Sequence, residues 1–361
     1  MEAYTSTEHD MLTLKPNFSE SAKRWEAYWN HDIIDRPILC ANVLKPDAKP
    51  LGYISYRDRV YGDLDNVLAH QLHDAACYDW LGESIPSFFP SLGTHEIACY
   101  CGYEIEWGQD GMDTNWCKHS DKPLAELLPI TLDTDGFWFK RITEVYRKAY
   151  QTFHGQVIPN AFDFHTNLDL LLSIRGDSNL CLDTFDCPED IDRAMTYTYE
   201  VFEELWTLFV TESGCDQTGY FFDLFSEKPT SILACDFSAL IGVEMFNRWA
   251  RPALEFESGL VGDRSIYHWD GPDAIKHKDE LLSIKNLHTF SYVPGPNTYH
   301  HQFLELYLYC QERGKGIIYT AGPDEIKAAH SVLNPTLTCY RTWVNSIAEF
   351  EELEKWFRSH T

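Results

Sequence analysis

The sequence is short of positive charge. It carries 29 lysines and arginines against 56 aspartates and glutamates, a formal net charge of −27 over 361 residues. Nucleic-acid phosphates and anionic membrane surfaces both require clustered cations, so neither is an expected partner. Long apolar runs are also missing. No window approaches the roughly 20 residues of a spanning helix, and residues 1–16 lack a basic stretch followed by an apolar one, so no export signal is expected. No Cys-x-x-Cys pair occurs, which excludes a zinc ribbon or a thioredoxin-like motif. The dinucleotide fingerprint Gly-x-Gly-x-x-Gly, the P-loop, Gly-x-Ser-x-Gly and His-Glu-x-x-His are absent. Low-complexity tracts and short repeats are lacking too, which favours one continuous domain over residues 1–361.

What is present is core-forming material. Hydrophobic residues make up 44% and aromatics 14%, too much for a disordered chain. Eleven cysteines, an odd number without an export signal, read as reduced thiols in a cytoplasmic protein. The closest pair, Cys99 and Cys101, reads as buried small hydrophobes.

The chain opens with a helix carrying Trp25, Tyr28 and Trp29, ended by Asp35-Arg36-Pro37. A strand is predicted over 37–43, a helix over 57–80, a strand over 85–90 and a hairpin or irregular excursion over 104–116. From residue 137 the order becomes regular. Helices are predicted at 137–153, 167–175, 188–212, 244–254, 272–283, 300–313, 323–330 and 346–358. Strands are predicted at 157–164, 219–225, 232–237, 265–269, 287–293, 316–320 and 336–340. Such alternation implies parallel strands with right-handed crossovers. The expected fold is α/β: a single (β/α)8 TIM barrel, with residues 1–36 as an N-terminal helical extension. A doubly wound sheet is the alternative, but its usual phosphate fingerprint is missing.

A barrel builds its active site at the C-terminal ends of its strands. The polar residues there are Asp163 and His165, Asp223, Asp236 and Ser238, His268 and Asp270, Tyr292, and Cys339 and Arg341. His268 and Asp270 are two residues apart, so on a strand they share a face. Together they could hold a metal, with Cys339 as a third ligand, or form a hydrogen-bonded pair. Asp163 and His165 suit proton transfer or substrate contact. Asp236 and Ser238 could position substrate or cap a helix, and Tyr267, Trp269 and Tyr292 would line the pocket. Arg341 could hold a carboxylate or phosphate, or neutralise Asp270. His277, His288, His300 and His301 are expected at the surface. The pairs Phe88-Phe89 and Phe221-Phe222 are expected in the core. The abundance of acids leaves a two-carboxylate glycosidase open.

Several segments resemble the uroporphyrinogen decarboxylase superfamily, in particular its corrinoid-linked methyltransferase-like branch. They are Arg24-Trp25 through Trp29, Asp35-Arg36-Pro37, Pro90-Ser91-Leu92-Gly93, Asp236-Phe237-Ser238 with Met245-Phe246 and Pro252, Tyr267 through Pro272, and Val293-Pro294-Gly295. The resemblance implies a (β/α)8 barrel. It also implies a zinc site of the form His-x-Cys plus a distant Cys, and methyl exchange with a corrinoid carried by a partner protein. By position, His268 would be the His and Cys339 the distant Cys, while Asp270 stands where the near Cys is expected. That substitution makes the donor set harder and poorer in thiolate.

The leading expectation is therefore a corrinoid-dependent methyltransferase. It would have zinc at His268, Asp270 and Cys339, a small methyl donor or acceptor as substrate, and a corrinoid (cobalamin-type) protein as partner. The alternative is a metal-free lyase, decarboxylase or hydrolase using His268 and Asp270 as an acid–base pair. A pocket that binds without turnover is the third reading. A homodimer is compatible with the chain.

Overall fold

A computed structural model describes residues 12–109, 113–161, 163–215 and 224–361. Eleven strands are present among them: β1 (Ile38–Leu44), β2 (Tyr78–Gly82), β3 (Ser87–Phe88), β4 (Ile105–Trp107), β5 (Asn115–Cys117), β6 (Ile158–Pro159), β7 (Ile232–Ala234), β8 (Ser265–Asp270), β9 (Leu287–Val293), β10 (Gly316–Thr320) and β11 (Thr338–Arg341). Seven of them form one sheet in the order β2-β1-β11-β10-β9-β8-β7. Only β2 runs antiparallel to its neighbour; every other pairing in that sheet is parallel. β3 and β6 form a separate parallel pair, and β4 and β5 form an antiparallel hairpin, one of the two forms expected over 104–116.

The expectation of a (β/α)8 barrel is met as far as a central parallel sheet wrapped by helices. Eight strands share one direction: β1, β3, β6, β7, β8, β9, β10 and β11. Among the described residues, however, backbone pairing does not run around a complete ring. β6 itself does not pair with β7; the chain beyond it meets β7 through the isolated parallel bridge Phe164–Leu233. At the other seam β2 takes the free edge of β1. Proline contributes to the gap, because Pro159 lies inside β6 and Pro86 and Pro90 flank β3, and proline has no N–H to give to a ladder.

The helices follow the apolar periodicity with two corrections. The single helix expected over 57–80 is two helices, Tyr56–Tyr61 and Leu64–Ala76, followed by β2. Gly62 and the Asp63 cap separate them, with the Asp63 carboxylate accepting from the N–H groups of Asp65 and Asn66. An additional helix, Asp177–Asp186, begins directly after Gly176, whose φ of 76° breaks the chain away from the helix Asn167–Arg175. The long helix Pro188–Ser213 starts with proline and two acids and stops at Gly214 in the left-handed region. The strand expected over 219–225 lies mostly outside the described residues, as do Asp223, Phe221 and Phe222.

Alternation along the strands sorts the core into two clusters. Leu39, Leu233, Tyr267, Trp269, Phe290, Tyr292, Tyr319 and Tyr340 pack outward against the helices. Ile38, Cys40, Ile266, Ile318 and Cys339 face the other side, together with Phe18, Trp25, Tyr28 and Trp29 of the helix Phe18–Trp29. That helix closes the N-terminal end of the sheet. The Trp25 indole donates to the Glu83 carbonyl at 3.0 Å and the Trp29 indole to the Phe225 carbonyl at 2.8 Å. The Tyr28 hydroxyl meets Thr289 at 2.9 Å, and a Cβ at Gly316 would come within 2.4 Å of the Tyr28 oxygen. The opposite end, where the strands finish, is left for chemistry.

Candidate active site

The polar strand ends converge at that opposite end. Phe164 is bridged to β7, so Asp163 and His165 flank the bridge and lie beside the end of β7. The helix starting at Asn167 then brings Asp169 back under His165, four residues on. His165 donates from Nε2 to Asp163 Oδ1 at 3.2 Å and from Nδ1 to Asp169 Oδ2 at 3.1 Å. With a carboxylate on each nitrogen the ring is an imidazolium. Burial opposes that charge, but Asp163, Asp169 and Asp236 outweigh it and hold the imidazole well above the ordinary histidine range.

Asp169 also organises the chain after β7. Its Oδ2 accepts the Asp236 N–H and its Oδ1 the Phe237 N–H, both at 2.8 Å. These are the first amides of the short 3-10 helix Asp236–Leu240, so the carboxylate caps that turn. The cap aims Asp236 toward His165, with Oδ2 at 4.0 Å from Nδ1. Burial, then the neighbouring Asp169, push the Asp236 carboxyl up to about 7, while His165 pulls the other way. Its Oδ1 is buried and accepts no hydrogen bond from the protein.

β8 delivers His268 and Asp270 to the same end. His268 is half-buried and Asp270 exposed, and β8 pairs through His268 with Ser291 and Ala234. Burial holds the His268 imidazole below its ordinary value against the pull of Asp163, so the ring is neutral at pH 7. Its Nδ1 is buried and has no partner in the protein. His268 feels the charges of Asp163, His165, Asp270 and Asp169, which places all of them around one mouth.

A further histidine that the sequence did not single out stands beside them. His95 precedes the helix Glu96–Tyr100, and its Nδ1 accepts the Cys117 N–H at 3.1 Å, which leaves the proton on Nε2. Burial, then His165 and His119, lower its imidazole to about 4. Asp169 was missed as well, although its spacing from His165, four residues across a helix start, was readable.

Other expected residues lie elsewhere. Tyr267, Trp269 and Tyr292 do not line the mouth. They alternate with His268 and Ser291 and pack outward, with Trp269 and Tyr292 at 5.9 Å between ring centroids. Ser238 is fully buried beneath the 3-10 turn. Its carbonyl meets His277 Nε2 at 2.9 Å, and His277 is buried against Phe246 at 4.4 Å rather than exposed. Arg341 ends β11, opposite Thr320 and Cys40.

Cys339 is fully buried in the cluster of Trp25, Tyr28 and Ile318. It sits opposite Ile318 on β10, one residue on from the Ile317–Phe290 pair. His268 is thus three ladder steps away, about 14 Å along the sheet at about 4.8 Å per strand. His268, Asp270 and Cys339 do not gather as ligands. Among the described residues the potential ligand atoms that do gather are those of His165, Asp169 and Asp236, all within 4.8 Å of one another.

No protein-family model matches the chain, and no curated protein matches it in sequence. Solved structures do match in fold. One is a methyltransferase from Methanosarcina mazei, with a TM-score of 0.60 and 10% sequence identity over 94% of this chain and 98% of that one. At that identity the likeness is one of fold. No helix among the described residues is long and apolar enough to cross a membrane.

Proposed function

We propose that this chain is a methyltransferase whose substrate binds at the mouth formed by Asp163, His165, Asp169, Asp236, His268 and Asp270, on an opened (β/α)8 barrel. The fold likeness to a methyltransferase over nearly the whole chain supports the reaction class. The single observation that carries the choice of site is the convergence of these groups, from three separate strand ends, around a half-buried neutral His268.

The substrate class follows from charge. Acids outnumber the one imidazolium at the mouth, so it favours a small cation bearing methyl groups, such as a methylated amine. A secondary or tertiary amine gives up a methyl group only when its nitrogen is protonated, since the neutral amine is then the leaving group. Nearby carboxylates raise the pKa of a bound amine and keep that proton in place. The ring of His268, whose buried Nδ1 has no partner in the protein, can accept a hydrogen bond from the ammonium N–H and orient it, and the neutral amine keeps that proton when the methyl group leaves. A corrinoid on a partner protein would supply the nucleophile that receives the methyl group. Exposed Leu240, Val243, Tyr299 and Trp343 follow β7, β9 and β11 around the mouth and support such a docking face.

The zinc set of His268, Asp270 and Cys339 does not fit, because Cys339 is sealed in the core three strands away, and no step is assigned to it. That misfit favours a second reading, a metal-free lyase or hydrolase in which His268 and Asp270 exchange protons with the substrate.

The test is transfer to free cob(I)alamin, read as loss of the Co(I) absorbance. Methylated ammonium compounds should react and neutral methyl ethers should not. Absence of transfer from every methylated compound, with decarboxylation or hydrolysis observed instead, would establish the second reading.

A further inference from the structure

The structure assigns a divalent-cation site to His165, Asp169 and Asp236. It lies at a different set of residues from the His268, Asp270 and Cys339 set that the resemblance implies. It stands whether or not methyl transfer is the activity.

Four observations on geometry carry it. First, His165 Nδ1, an Asp169 oxygen and an Asp236 oxygen lie within 4.8 Å of one another, the only such group among the described residues. Second, their separations suit a shared ion. His165 Nδ1 lies 3.1 Å from Asp169 Oδ2 and 4.0 Å from Asp236 Oδ2. These values bracket the edge of about 3.4 Å expected for a tetrahedron of bonds about 2.1 Å long. Third, one carboxylate oxygen of the cluster, Asp236 Oδ1, is buried and has no partner in the protein. An unpaired buried carboxylate oxygen is a donor that an ion would use. Fourth, the scaffold is rigid where it must be. Asp169 is fixed by two backbone amides at 2.8 Å, so the ligand set is held by a helix start and a capped turn rather than by loose loops.

The donor chemistry narrows the ion. One imidazole with two carboxylates suits a borderline or hard metal such as zinc or manganese(II), and the absence of thiolate from the set disfavours a soft metal. On binding, the ion replaces the Nδ1 proton of His165, which leaves as a solvent proton. Asp163 remains on Nε2 and orients the ring, the arrangement common behind metal-bound histidines.

The experiment is equilibrium dialysis of chelator-treated protein against zinc alone, with metal content read by mass spectrometry. The variants are Asp236→Asn, His165→Gln and Cys339→Ser, each checked by circular dichroism. The Asp236 side chain caps nothing, so Asp236→Asn should fold even if His165→Gln does not. His31→Ala removes a competing surface pair, since His31 and His288 meet at 3.0 Å between their Nε2 atoms. We expect one zinc per chain in the wild type, His31→Ala and Cys339→Ser, and at least a tenfold weaker site in Asp236→Asn. Folded wild type that binds no zinc would overturn the assignment, and so would zinc lost on Cys339→Ser but kept on Asp236→Asn. Neither result depends on the methyl-transfer assay.

Discussion

Asp169 is the residue whose removal should hurt the site most. It accepts the Asp236 and Phe237 amides at 2.8 Å each and the His165 imidazolium at 3.1 Å, and it is almost fully buried. Asp169→Ala leaves two amides and one imidazolium nitrogen without an acceptor. An orphaned buried donor costs about 1–3 kcal/mol, so the two amides together cost about 2–6 kcal/mol, with water entering the truncated site reducing the figure toward its lower end. Asp169→Asn keeps one acceptor oxygen and should lose about half as much. Urea denaturation followed by tryptophan fluorescence measures both. The His165 ring should titrate lower in either variant, because one of the carboxylates holding its pKa up is gone, and ring-proton NMR reads that shift. An Asp169→Ala protein within about 1 kcal/mol of wild type, with His165 titrating unchanged, would refute the capping and charge roles together.

Three further outcomes follow from other parts of the fold. Arg36 is buried with its guanidinium on both oxygens of buried Glu83, at 2.5 and 2.9 Å, and on Glu354 at 2.8 Å. Arg36→Met should lose about 3–5 kcal/mol in urea, and adding Glu83→Leu should recover part of it, because the damage is an uncompensated buried carboxylate; no recovery would point to packing instead. Burial pushes Glu96 and Glu257 each up to about 8. The folded state therefore keeps protons that the unfolded chain has released at its ordinary glutamate value of 4.5, and stability must fall as pH rises toward 8. His95 and His288, lowered to about 4 and about 3, no longer differ between states above about pH 7, so the melting temperature should drop between pH 7 and 8; a rise there would contradict the buried acids. Gly93 has φ 149°, and a Cβ there would come within 2.0 Å of Asn115 Oδ1. Gly93→Ala should break the Asn115 bond to the Leu92 carbonyl and lose about 1–3 kcal/mol by thermal melting, whereas an unchanged melt would mean the turn simply yields.

Much of the architecture was legible because periodicity reports it directly. The strand expected over 265–269 is β8, one residue longer at Asp270, and the proline and acids at 188–190 do start the long helix. Pairing was less legible. Nothing local says that β2 would take the edge of β1 or that β3 and β6 would be only two residues long. At the site, Asp163, His165, Asp236, His268 and Asp270 were read from their places at strand ends. Trp269 and Tyr292 were assigned to the wrong face, although the alternation that put His268 in the mouth sends its neighbours outward. Cys339 went astray for a different reason. Its strand was right, but its depth in the sheet depends on register with Ile318 and on a helix 300 residues earlier in the chain. Asp169 meets His165 at a local i,i+4 spacing that the sequence does carry, whereas His95 reaches the site through a loop, where contact is made by tertiary folding rather than by spacing.

The most direct test is the rate of methyl transfer from a methylated ammonium donor to cob(I)alamin in wild type, His268→Ala, Asp163→Asn and Cys339→Ser. If the mouth at the strand ends is the functional site, transfer falls at least a hundredfold in the first two variants, about 2.7 kcal/mol of transition-state stabilisation, and stays near wild type in Cys339→Ser. Transfer abolished by Cys339→Ser and retained by His268→Ala and Asp163→Asn would contradict it.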